Sequence, residues 1–131
     1  MKNTAILISI AALVLAAYTG IAGAEDPRTL KGEFVWSHRD NSGELEAVFT
    51  PTGENRWDVS FHFEFRGRSH TYSGTAEGSL TEGSLSGEVR NESEERTFTF
   101  KGKFKNSVFT GAHAETTDGR AQPTGTLTLG R

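Results

Sequence analysis

The chain has 131 residues, with 14 Lys and Arg against 17 Asp and Glu, a net charge of −3 and no cysteine. The missing cysteine excludes disulfides, thiolate chemistry and a cysteine-linked lipid anchor. The mild acidity leaves no basic surface for nucleic acid or an anionic membrane.

The chain opens MKNTAILISIAALVLAAYTGIAGAED. Lys2 supplies a positive start, Ala5 to Ala17 is uncharged and apolar, and Ala22-Gly23-Ala24 offers small residues to a signal peptidase. The apolar run is shorter than the roughly 20 residues of a membrane span. We therefore expect a secretory signal over residues 1–24, cleavage after Ala24, and a secreted or periplasmic domain over 25–131 with no further hold on the membrane. Loss of Lys2 brings the net charge to −4, and the remaining 107 residues suffice for one domain with one core.

Beyond the signal, no stretch repeats apolar residues at helical spacing, and alternation has period two. A first strand is expected near 30–38, with Gly32, Phe34, Trp36 and His38 in one phase. Asp40-Asn41-Ser42-Gly43 turns it into a second, near 44–50, which ends at the turn residues Pro51 to Asn55. The third, near 55–65, alternates most cleanly: Trp57, Val59, Phe61, Phe63 and Phe65 against Asp58, Ser60, His62 and Glu64. Arg66-Gly67-Arg68 leads to a fourth near 69–80, with His70, Tyr72, Gly74, Ala76 and Leu80 in phase. Thr81-Glu82-Gly83 precedes a fifth near 84–90, carrying Leu85, Gly87 and Val89.

Asn91-Glu92-Ser93-Glu94 precedes a sixth strand near 95–104, where Phe98, Phe100 and Phe104 oppose Thr97, Thr99, Lys101 and Lys103. The pair Glu94-Glu95 lies at that turn and is read as solvated. Lys105-Asn106-Ser107 leads to a seventh near 108–116, and Asp118 to Pro123 to an eighth near 124–130, with Leu127 and Leu129 against Thr126 and Thr128. The hairpin Tyr72-x-Gly74-x-Ala76 … Leu85-x-Gly87-x-Val89 is weakly repeated as Phe100-x-Gly102-x-Phe104 … Phe109-x-Gly111-x-His113, which sets His113 inward.

Eight strands joined to their neighbours by short turns make an all-β antiparallel up-and-down meander. One wet and one dry face per strand, with edges to be hidden, favours a closed barrel, and a two-sheet β-sandwich is the alternative. Inward glycines at positions 32, 74, 78, 87, 102 and 111 are read as corners of a tight barrel roofed by aromatic rings; an emptied lumen is the other reading. A secreted meander of this length resembles the avidin and lipocalin group of ligand-binding barrels, with Gly32-Glu33-Phe34-Val35-Trp36 where a lipocalin-type start carries Gly-x-Trp. The likeness is one of architecture and implies no particular ligand or binding residue.

Strand direction then places three histidines. His38 ends an upward strand, His70 starts a downward one and His113 lies late on another upward one, so all three should face in at one rim with Trp36, Tyr72 and Glu115 nearby. His62 falls on the wet face. Three readings are open: polar strand ends, a ligand-binding mouth, or a histidine metal site, for which no His-x-His or His-Glu-x-x-His pair speaks. No nucleophile elbow and no phosphate loop is present. The expected function is that of a non-enzymatic exported barrel binding a small molecule through His38, His70, His113, Tyr72, Trp36 and Glu115, with no catalytic residue, cofactor or metal. The alternative is a structural or protein-interaction module with a solid interior.

Overall fold

The computed structural model describes residues 26–37 and 41–130. The expected signal and its cleavage site lie outside these residues, as does His38.

Hairpin turns of type I′ need positive φ at both central residues and match the twist of the strands they join. Among the described residues three such pairs occur: Arg66-Gly67 at 56° and 76°, Asn106-Ser107 at 54° and 67°, and Asp118-Gly119 at 52° and 76°. They join β3 (Arg56–Phe65) to β4 (Arg68–Gly78), β6 (Arg96–Lys105) to β7 (Val108–Thr117), and β7 to β8 (Arg120–Gly130). With β1 (Arg28–Trp36), β2 (Asn41–Gly53) and β5 (Gly83–Asn91), eight antiparallel strands follow one another around the barrel in chain order. β8 returns to β1 from Lys31↔Gly130 to Trp36↔Gly125 and closes it. Closure decides against the sandwich: each strand has a partner on both sides, so no edge is left to pair with another chain.

Ser107 is the one non-glycine at the second position of these turns. Ser107→Gly should relieve about 1–2 kcal/mol of left-handed strain while costing roughly 0.5–1 kcal/mol in added freedom of the unfolded chain. The expected net gain is about 0.5–1 kcal/mol, read as a higher urea midpoint at unchanged slope. A lower midpoint would contradict it.

Two prolines expected in turns lie within strands. Pairing of β1 with β2 stops at Arg28↔Phe49, and a bulge between Pro51 and Gly53 accommodates a residue with no N–H for the ladder. Pro123 stands opposite Ala114 beside a second bulge, at His113/Ala114, so the turn before β8 contracts to Asp118-Gly119. That bulge leaves Thr124 without a partner on β7 and buries its side chain, although simple alternation would send it out with Thr126 and Thr128.

The interior is filled unevenly. Phe49, Leu85, Phe104, Phe109 and Leu129, the largest fully buried side chains, gather toward the end closed by the β2–β3, β4–β5 and β6–β7 turns. Leu80 adds to the plug, and the Trp57 indole N–H donates to the Gly78 carbonyl at 2.9 Å. Gly102 and Gly111 face each other across β6 and β7, and the Phe109 ring lies over both; a Cβ there would meet the ring at 2.8 and 2.6 Å. Phe100 covers Gly87 in the same way, at 2.7 Å. These glycines make room for rings and for the neighbouring strand, whose carbonyl oxygens at Thr110, Lys101 and Thr75 lie closer still to the added Cβ at Gly102, Gly111 and Gly87. The two hairpins of the weak repeat share the inward phase but not the register: Gly102 faces Gly111, whereas Gly74 faces Val89 and Ala76 faces Gly87.

Candidate functional site

Toward the opposite rim the packing loosens into a cavity of about 190 Å³. Phe61 and Phe100 form its floor, their ring centroids 5.2 Å apart, with Leu45, Val89 and Leu127 beside them. The walls are rings in mutual contact. Phe34 meets Phe63 edge-on at 5.1 Å, Phe63 stacks on Tyr72 at 5.9 Å, and Phe98 meets Tyr72 at 5.5 Å and Trp36 at 5.7 Å. Period-two alternation puts these rings inside, and their size keeps the walls stiff.

The rim carries the charge. Glu94 sits in the β5–β6 turn with its carboxylate directed over the cavity: one oxygen accepts from the Tyr72 hydroxyl at 2.7 Å, and the other lies 2.5 Å from His70 Nδ1. Asn91 sets this turn. Its side-chain oxygen accepts the Glu94 backbone N–H at 2.8 Å, and its amide donates to the Thr71 carbonyl on β4 at 3.1 Å. The His70 ring stacks on Phe63 with centroids 5.2 Å apart. Two residues on from Glu94, Arg96 donates from Nε and Nη2 to the two oxygens of Glu115, each at 2.9 Å, a bidentate pair across β6 and β7. The guanidinium also lies over the faces of Trp36 and Phe98, at 5.6 and 5.2 Å.

These contacts fix the charge states. The Tyr72 hydrogen bond, reinforced by His70, holds the Glu94 carboxyl below its usual range. Burial, together with the hydrogen bond to Glu94, pushes the Tyr72 phenol up, so it stays a donor at neutral pH. The Arg96 hydrogen bonds lower Glu115 and in return raise the guanidinium.

His113 is buried beside the cavity, against Trp36 and Phe98. Burial lowers its pKa, opposed by the hydrogen bond to the Val35 carbonyl. In the neutral ring Nε2–H donates to that carbonyl at 3.1 Å and Nδ1 accepts from the Thr124 hydroxyl at 2.6 Å. The sign of the pH effect follows. The folded pKa lies below the unfolded value of about 6.5, so unfolding takes up a proton in mild acid. The neutral ring's contribution is complete above about pH 6.5 and is lost as pH falls through that value toward the folded pKa. The stability gap between the natural protein and His113→Gln should therefore narrow between about pH 7.5 and pH 5. Paired urea titrations give the gap, and one that stays constant or widens in acid would contradict the assignment.

Of the residues singled out by sequence, Trp36, His70, Tyr72 and His113 line the cavity. Glu115 stands at the rim outside the cavity lining and holds Arg96, which lies in it. His70 and His113 lie in separate hydrogen-bond networks, one on Glu94 and one on Thr124 and Val35. Among the described residues no three of His, Cys, Asp and Glu are grouped to hold a metal. His62 is exposed, with Nδ1 at 3.2 Å from Thr71 Oγ1.

The expectation that Glu94 is solvated is wrong: its side chain is 30 % exposed and carries two hydrogen bonds. Sequence reasoning also passed over Arg96, and the signal for both was present. Arg96 shares the phase of Phe98 and Phe100, and the direction of β5 puts the Asn91–Glu94 turn on the rim of His70. No protein-family model matches the chain, and no curated protein does.

Proposed function

We propose that this chain is an exported, non-enzymatic β-barrel that binds a small molecule in the mouth lined by Trp36, His70, Tyr72, Glu94, Arg96 and His113. The observation that carries the reading is the uneven filling. One half of the lumen is closed by fully buried Phe and Leu side chains, and the other keeps a cavity of about 190 Å³. A barrel that needed only a core would gain dispersion energy from filling both ends. An apolar cavity with a few convergent polar groups is the usual form of a small-molecule site. The closed half suits the alternative of a purely structural module, and the cavity favours binding. A mouth that binds without reacting is supported by how its polar groups are engaged: both His113 nitrogens and the Arg96 fork already have protein partners. Export rests on the layout of residues 1–24.

The test is an NMR titration of the ¹⁵N-labelled domain with a set of ring-containing fragments. Binding in the mouth predicts shifts concentrated at Trp36, Tyr72, Glu94 and Phe98, with Leu85 and Phe104 unmoved. Fragments that shift no mouth residue would favour the structural module.

A further inference from the structure

We propose that the mouth selects a small aromatic amine, its ring held among Phe34, Phe61, Phe63 and Phe98 and its ammonium group against Glu94. This rests on the binding reading above and adds the class of ligand.

Size limits the ligand first. A dry cavity of about 150 Å³ takes one benzene, so about 190 Å³ takes one ring with a short tail. Ring contacts line the depth of the cavity, so the ring belongs below and the tail at the rim, where the charges are.

Charge then selects the tail. Arg96 and Glu115 form a closed bidentate pair and cancel. Glu94 remains, its two oxygens in contact with the Tyr72 hydroxyl at 2.7 Å and with His70 Nδ1 at 2.5 Å. A carboxylate can accept about four hydrogen bonds, and two contacts to Glu94 leave each oxygen with room for an N–H from a ligand. Arg96 already covers the faces of Trp36 and Phe98, so a ligand ammonium finds its partner in the Glu94 carboxylate and not in these two rings. A carboxylate tail would face Glu94, and the arginine that lines the cavity, Arg96, is held by Glu115; Arg66, Arg68 and Arg120 stand at the turns of the same rim but outside that lining. A neutral hydroxyl tail would bind the same ring but forgo the ion pair.

Three ligands of one shape separate these cases: 2-phenylethylamine, 2-phenylethanol and 3-phenylpropionate. They are titrated into the full domain by NMR at about pH 8, above the ordinary histidine range, where the amine is still charged. The expected order is amine first, by about tenfold over the alcohol, with the carboxylate weakest. Glu94→Gln should remove most of the amine's advantage. Glu115→Gln, which releases the Arg96 guanidinium, should also reduce it and should strengthen the carboxylate. The second variant keeps the test decisive if the first does not fold. An alcohol that binds as tightly as the amine, a carboxylate that binds best, or an amine advantage untouched by either variant would overturn the charge argument and leave the mouth standing. If none of the three shifts Trp36, Tyr72 or Phe98, both readings fall together.

Discussion

Phe109→Ala is expected to remove about 3–5 kcal/mol of stability, a large share of the roughly 5–15 kcal/mol that a domain possesses. The ring is fully buried, 5.4 Å from Phe104 and 6.4 Å from Phe100 by centroid. The size of the effect comes from what lies beneath it. Gly102 and Gly111 have no side chains to move into the space, and their backbones are fixed in the β6–β7 ladder. A cavity that cannot collapse costs its full volume on top of the lost transfer energy. Urea unfolding measures the loss, and a variant already unfolded by circular dichroism without denaturant would agree. Phe109→Leu, which keeps most of the volume, should cost much less. A loss below about 1.5 kcal/mol for the alanine variant would mean that the site relaxes and that this end is not rigidly packed.

Gly74→Ala should cost about 3 kcal/mol, at the upper end of overpacking, although it adds a single methyl. The new Cβ would lie on the backbone carbonyl oxygen of Glu88 and 2.9 Å from the Val89 Cα. Neither neighbour is a flexible side chain. Gly74 is held by Val59 on one side and by Val89 on the other, so relief requires parting β4 from β5. Gly53→Ala is the control: its Cβ would meet only the Arg56 side chain, at 3.8 Å, and should change stability by less than about 0.5 kcal/mol. Equal effects for the two variants would remove the close strand approach as the reason for glycine at position 74.

Much of this arrangement follows from local pattern. Phe61, Phe63 and Tyr72 face in and His62 faces out because a pleated strand sends successive side chains to opposite faces. Arg66-Gly67 and Asp118-Gly119 announce tight turns because glycine takes positive φ at no cost. The position of Arg96 in the mouth is of the same kind, since phase and strand direction suffice for it; Glu94 lies in the turn, where Asn91 holds it, and the acidic pair was read by its charge instead. Thr124 could not be placed in this way. An alternation rule assumes an unbroken ladder, and the extra residue opposite His113 and Ala114 shifts the phase of β8 from Thr124 back toward Arg120.

The amino-acid sequence by itself determined the all-β class, the eight strands, the face of each side chain away from the bulges, and the rim to which His70, Tyr72 and His113 belong. Each of these depends on neighbours a few residues apart, where period and turn chemistry act. Only the tertiary structure decided that the meander closes, that His113 reaches the Val35 carbonyl 78 positions away, that Glu115 is committed to Arg96, and that one half of the lumen is solid while the other holds a cavity. Those outcomes depend on the stagger of β8 against β1 and on the summed volume of rings from all eight strands, quantities that no single strand contains.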